Sequence, residues 1–131
     1  MNAHAPFEPA RPMVVIVTGD AALAHALTFR IELEGFDVRA GDDARTLLAL
    51  GLTPRDACLV IDHTPPETDG IRLLAQLRAT GLDAPAVLLV TNPTSGLRAS
   101  AAAANAPLIE KPLLSDALLT AIRGAVVSDL T

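Results

Sequence analysis

Short apolar runs recur along the chain, and a helical pattern follows each of them. The runs Met13 to Val17, Ala57 to Ile61 and Ala86 to Val90 are almost continuously apolar, which predicts strands buried on both faces. Phe36 to Arg39 alternates apolar and polar residues and predicts a shorter strand nearer an edge. Leu108–Ile109 predicts a short last strand.

The segments after these strands carry apolar residues at helical spacing, as in Leu23, Leu27 and Ile31. Helices are expected over about 21–34, 42–50, 71–79 and 96–104, and from 115 onward. Five strands alternating with helices predict an α/β fold, (βα)5, whose parallel sheet is covered by helices on both faces. Two strand orders remain open at this point: the flavodoxin-like order 2-1-3-4-5 and the dinucleotide-binding order.

The length of 131 residues predicts one domain, which the pattern places over 13–127. Residues 1–12 contain three prolines without periodicity and are expected to form a flexible N-terminal tail, and 128–131 a short C-terminal tail. The N-terminus lacks the features of a secretory signal, and no apolar stretch is long enough to span a membrane. The single cysteine, Cys58, leaves no internal disulfide and fits a cytoplasmic location.

Charge and aromatic content argue against nucleic acid as a partner. The formal net charge is -5, which opposes binding to phosphate backbones. Aromatic residues make up 2%, with no Trp or Tyr, so few side chains could stack on bases. A protein partner is therefore expected.

Polar residues follow the predicted strands at the edge where open α/β sheets bind ligands. Thr18, Gly19 and Asp20 follow the first strand, Asp62 the third, Thr91 the fourth and Lys111 the fifth. In the order 2-1-3-4-5, a carboxylate, a hydroxyl and an ammonium would converge there on one crevice. Plainer interpretations also exist: Asp62 could cap a turn, Lys111 could be a solvated surface charge, and Asp20 could be a helix N-cap.

Four elements stand in a fixed order: Asp62, then Asp69-Gly70 seven residues later with Pro66 between them, Thr91, and Lys111-Pro112. Together they resemble the receiver domain of two-component response regulators, and the resemblance runs from about Met13 to Val127. It implies the flavodoxin-like order 2-1-3-4-5. It also implies a signalling module rather than an enzyme.

The resemblance assigns roles to these residues. Asp62 would accept a phosphoryl group from a phosphohistidine or a small phosphodonor. Lys111 would bind Asp62 and a phosphoryl oxygen, and a cis peptide bond to Pro112 would set the direction of its side chain. Thr91 would turn inward to bond a phosphoryl oxygen. The partners would be a histidine kinase, a phosphotransfer protein or another regulator. The first helix and the loop after the last strand form the usual kinase-facing surface in this family.

The chain departs from the family where Mg²⁺ should bind. Thr18 and Gly19 occupy the places of the two adjacent acids that hold the ion. The remaining candidate ligands are Asp62, the backbone carbonyl of Thr64 and, if Gly19 allows an unusual backbone, a re-aimed Asp20. The sequence therefore predicts a degenerate metal site, at which Mg²⁺ is doubtful.

Further departures lie on the output side. Leu108 stands where the family has an aromatic residue that reports the rotation of the hydroxyl at Thr91, so switching is expected to be altered or absent. His63 should point to the face opposite Asp62 by strand alternation, as a structural or partner-facing residue. Cys58 lies inside a buried run and is expected to be an inert core residue.

Two main hypotheses follow. The first is an atypical single-domain response regulator that docks to proteins in phosphorelay signalling, with phosphorylation at Asp62 impaired. Its alternative is a constitutive pseudo-receiver without phosphorylation. The second is a small nucleotide- or flavin-binding enzyme, which the absence of a Gly-rich loop after the first strand disfavours. The chain could also be a piece of a longer protein, and its apolar helix faces would allow a homodimer.

Overall fold

The computed structural model describes residues 12–41, 57–66, 68–81, 83–111 and 116–130, with only the backbone of 126–130. Its strands are β1 (Met13–Val17), β2 (Asp37–Gly41), β3 (Ala57–Asp62), β4 (Ala86–Val90) and β5 (Leu108–Glu110). Its helices are α1 (Ala21–Leu33), α2 (Gly70–Ala79), α3 (Ser95–Ala103) and α4 (Ala117–Leu130). The helix predicted over 42–50 lies outside the described residues. So do residues 1–11 of the tail predicted over 1–12, and Thr131 of the tail predicted over 128–131.

The five strands form one parallel sheet in the order β2-β1-β3-β4-β5. This confirms the flavodoxin-like order and excludes the dinucleotide-binding order that the apolar pattern had left open. The register pairs Val17 with Ile61 and Val90 with Glu110. Since all strands run the same way, the residues that follow β1, β3, β4 and β5 lie along one edge of the sheet.

Helices cover both faces of this sheet, as predicted, and each face has its own apolar layer. Strand side chains alternate between the layers, with Val15 and Val17 in one and Val14 and Ile16 in the other. Side chains of α2 and α3 complete the first layer, and side chains of α1 and α4 complete the second: Leu74, Leu77 and Ala101 in the first, Leu27, Ile31, Leu118, Leu119 and Ile122 in the second. Full burial of each large aliphatic side chain contributes about 1.5–3 kcal/mol relative to exposure.

Polar caps and glycines set the helix ends. Asp20, Asp69 and Thr94 cap α1, α2 and α3, and the side chain of each accepts a backbone N–H bond from the first turn. Gly35 and Gly81 follow α1 and α2 with φ of 94° and 96°, a left-handed conformation in which glycine is least strained. The prediction of helix ends at these two glycines is confirmed.

The last helix is longer than the apolar pattern indicated. α4 continues to Leu130, into the segment 128–131 that the sequence analysis assigns to a C-terminal tail. Neither Gly nor Pro follows Gly124, so the sequence after it contains no strong helix-ending residue.

Gly70 begins α2 in close contact with side chains of the sheet. A Cβ built on Gly70 would lie 3.1 Å from Ile61 Cγ2, 3.1 Å from Leu88 Cδ2 and 3.3 Å from His63 Cβ. Ile61 and Leu88 are fully buried, so they have little room to move. Glycine is favoured at this position because a Cβ would crowd these side chains, and not because the backbone is left-handed.

We expect Gly70→Ala to destabilise the fold by about 1–3 kcal/mol, the usual cost of overpacking. Gly96 in the first turn of α3 is the matched control, because a Cβ built there meets its nearest atom, Thr94 Oγ1, at 3.8 Å. Gly96→Ala should be neutral or should stabilise α3, since alanine is the better helix former. Urea unfolding of both variants measures the difference, and equal effects would contradict the packing argument.

Candidate functional site

Asp62 ends β3 at the centre of the carboxyl edge of the sheet. Its residue surface is 3% exposed, and the next backbone N–H, of His63, donates to the Leu89 carbonyl of β4 at 2.9 Å. One carboxylate oxygen, Oδ1, lies 2.7 Å from Lys111 Nζ. A buried carboxylate is costly unless it is paired and hydrogen-bonded, and Lys111 supplies the opposite charge.

Thr18 binds the other oxygen of the same carboxylate. Thr18 follows β1 directly, is 5% exposed, and its hydroxyl donates to Asp62 Oδ2 at 2.7 Å. The sequence analysis places Thr18 at this edge and treats it as the replacement of an acid, but it predicts no contact between Thr18 and Asp62. The available signal was the strand order, since β1 and β3 are neighbours and Val17 pairs with Ile61, which places Thr18 beside Asp62.

Asp20 is held at the start of α1. It has φ of -93° and ψ of 104°, and its Oδ1 accepts the Leu23 N–H at 3.1 Å, which confirms the helix-cap interpretation. Its backbone N–H donates to Thr18 Oγ1 at 3.1 Å. Gly19 is not among the residues with positive φ, so this structure lacks the unusual backbone on which a re-aimed Asp20 would depend.

The loop after β3 is closed by its own hydrogen bonds. Thr64 and Thr68 exchange backbone bonds in both directions, and the Thr64 carbonyl accepts the Thr68 N–H at 3.0 Å. His63 Nδ1 accepts the Gly70 N–H at 2.9 Å, so His63 has a structural contact and orders the start of α2. The carbonyl proposed from sequence as a metal ligand therefore already has one partner.

Thr91, which follows the strand beside that of Asp62, does not join this hydrogen-bonded cluster in the structure. Thr91 follows β4 and is exposed, and it takes no part in the hydrogen bonds to Asp62 described above. Leu108 is half-buried and packs against the apolar layer that includes Leu88. Pro112 lies outside the described residues, so the predicted cis bond after Lys111 stays a prediction.

The described residues around Asp62 do not fit a Mg²⁺ ion. Mg²⁺ sites in such pockets use one or two carboxylates with water and phosphate oxygens. Of the described residues, Asp62 alone contributes a carboxylate to this cluster, and both of its oxygens are bound, to Lys111 and to Thr18. Within the described ranges no three or more His, Cys, Asp or Glu residues come together as metal ligands could.

Cys58 is a core residue, as predicted, and not a member of the site. It is fully buried on β3, and burial raises the pKa of the Cys58 thiol to about 12. Desolvation disfavours the thiolate, which is the reactive form of cysteine. The thiol is therefore inert in the folded protein.

None of the described helices combines the length and the apolar character needed to cross a bilayer.

Comparisons with known proteins point to one group. The chain is 34% identical over 127 residues to the C4-dicarboxylate transport transcriptional regulatory protein DctD of Pseudomonas aeruginosa, covering 96% of this chain and 27% of that protein. It is 29% identical over 111 residues to the response regulator MprA of Mycolicibacterium vanbaalenii, covering 84% of this chain and 48% of that protein. The chain thus spans between about a quarter and a half of the length of these curated relatives.

A solved structure agrees with these relatives. The crystal structure of FixJ-N superposes with a TM-score of 0.77 at 26% identity, covering 91% of this chain and 96% of that one. No protein-family model matches the chain. The chain has the strand order of this group, and the aspartate that ends β3 is paired with a lysine that follows β5. Together with the similarities above, these features place the chain in the family of response-regulator receiver domains of two-component signalling.

Proposed function

We propose that this receiver domain acts in two-component phosphorelay signalling by docking to other proteins, with phosphorylation of Asp62 impaired. The partners would be a histidine kinase, a phosphotransfer protein or another regulator. One observation carries the proposal. Both oxygens of Asp62 are already bound by Lys111 and Thr18, and the described residues of this cluster include no second carboxylate.

Phosphoryl transfer needs a correctly positioned acceptor and neutralisation of the charge on the transferred group. The Thr18 hydroxyl occupies a lone pair of one candidate oxygen, and the Lys111 ammonium occupies one on the other. Transfer to the Asp62 carboxylate would convert its single negative charge into an acyl phosphate with a charge of about -1.5 to -2 at neutral pH. The Lys111 ammonium can offset only one of these charges, and the cluster of Thr18, Asp62 and Lys111 holds no second cation.

The surface of α1 supports docking as the mode of action. Phe29 and Leu33 are the two large apolar side chains that the described part of the chain exposes, at 68% and 63%. They lie four residues apart and therefore on the same side of α1. This is the helix that faces kinases in the family, and an apolar pair there suits contact with another protein.

The test is treatment of the protein with acetyl phosphate and Mg²⁺, followed by intact-mass measurement over time, with Asp62→Asn as the control. We expect little or no addition of one phosphoryl group to the unaltered protein. Rapid, stoichiometric modification that disappears in Asp62→Asn would overturn the proposal. Slow modification that depends on Asp62 supports impaired phosphorylation, and complete absence supports the constitutive pseudo-receiver.

A further inference from the structure

The Thr18 hydroxyl lies at the junction of two hydrogen bonds. It donates to Asp62 Oδ2 at 2.7 Å and accepts the Asp20 backbone N–H at 3.1 Å. Asp20 in turn accepts the Leu23 N–H at 3.1 Å as the cap of α1. A continuous series of hydrogen bonds therefore runs from the first turn of α1 to the buried carboxylate.

The series continues on the other side of Asp62. Lys111 Nζ binds Oδ1 at 2.7 Å, and the Lys111 backbone N–H donates to the Val90 carbonyl at 2.8 Å. One carboxylate thus connects the start of α1 with the ends of β4 and β5. Each oxygen of Asp62 has a donor, and the charge has a partner, as burial requires.

We propose that Thr18 is a positioning residue that does the structural work of a divalent cation in this pocket. Its hydroxyl satisfies the oxygen of Asp62 that Lys111 leaves open. It thereby fixes Asp62, the start of α1 and Lys111 in one arrangement without metal or phosphoryl group. This inference rests on the proposed function, because the hydrogen bonds of Thr18 would explain why the docking surface keeps one conformation without phosphorylation.

The role predicts coupling that passes through Asp62. Removing the hydroxyl in Thr18→Val should disturb Asp20 directly and Lys111 indirectly, although Thr18 and Lys111 share no hydrogen bond. In an Asp62→Asn background, the disturbance at Lys111 should be lost or much reduced. A hydroxyl that merely filled space at the end of β1 would have no such dependence on Asp62.

The experiment is NMR on the full chain without phosphodonor. For Thr18→Val we expect amide hydrogen exchange at Asp20 to become about tenfold faster or more, equivalent to about 1.4 kcal/mol. We also expect shifts of the side-chain resonances of Lys111, and Thr18→Ser should restore both signals because it keeps the hydroxyl. Thr80→Val is the matched control, because its hydroxyl bonds the Leu77 carbonyl at the far end of α2, and it should leave Lys111 unchanged.

Several results would overturn the inference. One is an unchanged Lys111 signal in Thr18→Val, and another is the same shift with and without the carboxylate at position 62. If Thr18→Val fails to fold, the inference is tested on the unaltered protein. Replacing EDTA by Mg²⁺ should then leave amide hydrogen exchange at Asp20 and Leu23 unchanged. Slower exchange there with Mg²⁺ would contradict the inference.

These outcomes are separable from those of the proposed function. The NMR measurements contain no phosphodonor, so rapid phosphorylation of Asp62 would defeat the proposed function while leaving the coupling intact. Conversely, the protein could stay unphosphorylated while Thr18→Val leaves the Lys111 signal unchanged. That result would contradict only the role of Thr18.

Discussion

Restoring two acids after β1, in the double variant T18D/G19D, is expected to create a Mg²⁺ site and to make Asp62 reactive toward acetyl phosphate. A Cβ built on Gly19 meets nothing within 4 Å, so the larger side chain is accommodated there. Aspartate at position 18 replaces the hydrogen-bond donor of Asp62 by a second carboxylate. The pocket then holds several negative charges near one Lys111 ammonium, an arrangement that Mg²⁺ with its oxygen ligands can neutralise.

The stability of T18D/G19D should therefore depend on Mg²⁺, and that of the unaltered protein should not. Without the ion the variant should be less stable than the unaltered chain, because like charges are buried together. At a Mg²⁺ concentration one hundred times the dissociation constant, binding of the ion should raise the free energy of unfolding of the variant by about 2.7 kcal/mol. Thermal unfolding in EDTA and in Mg²⁺ measures this term, and intact mass after acetyl phosphate treatment measures the gain of reactivity.

Two controls sharpen the result. Gly19→Asp alone keeps the Thr18 hydroxyl on Asp62 and should respond to Mg²⁺ less than the double variant. The triple variant T18D/G19D/D62N should lose the mass increment, which shows whether Asp62 is the modified residue. Equal responses to Mg²⁺ in the double variant and the unaltered protein would mean that the missing acids are not what limits the pocket.

The sheet could be predicted from sequence because its determinants are local. Continuous apolar runs such as Ala86 to Val90 specify strands buried on both faces, and Gly35 and Gly81 specify helix ends. Parallel pairing then brings the strand ends to one edge whatever side chains stand there. The proximity of Asp62 and Lys111 follows from that topology once the order 2-1-3-4-5 is chosen.

The partners of Asp62 within that edge could be predicted only in part. Sequence position places Thr18 and Thr91 equally at strand ends, but it does not fix the direction of a hydroxyl. In the structure Thr18 is buried against Asp62, whereas Thr91 is exposed. The family resemblance pointed to Thr91 and treated position 18 as a loss, because it compares residue types and not the hydrogen bonds a replacement can make.

The length of α4 and the placement of Asp20 show the same limit. Asp20 had two compatible roles by type and spacing, and the backbone at Gly19 decided between them. The continuation of α4 to Leu130 depends on the absence of a helix-ending residue, a weaker signal than the presence of one.

Removing the lysine, in Lys111→Met, is expected to destabilise the fold more than removing the carboxylate in Asp62→Asn. The side chain of Asp62 is 4% exposed and that of Lys111 is 23% exposed. Water therefore reaches an unpaired Asp62 carboxylate less easily than an unpaired Lys111 ammonium. Breaking a buried pair from one side typically costs about 3–5 kcal/mol, and we expect Lys111→Met in that range. Asp62→Asn should cost less, because Lys111 can reach water and the amide still accepts from the Thr18 hydroxyl.

Urea unfolding of the two single variants and of the double variant D62N/K111M measures the coupling between the charges. The double variant should be more stable than Lys111→Met, since it leaves no unpaired buried charge. Arg98→Met is the matched control near β5, because the Arg98–Glu110 pair is 3.3 Å long but both side chains are more than half exposed. Such a surface pair is worth about 0–1 kcal/mol. If Lys111→Met cost no more than Arg98→Met, Asp62 would have to reach solvent, and its buried, doubly bound state could not be what limits phosphorylation.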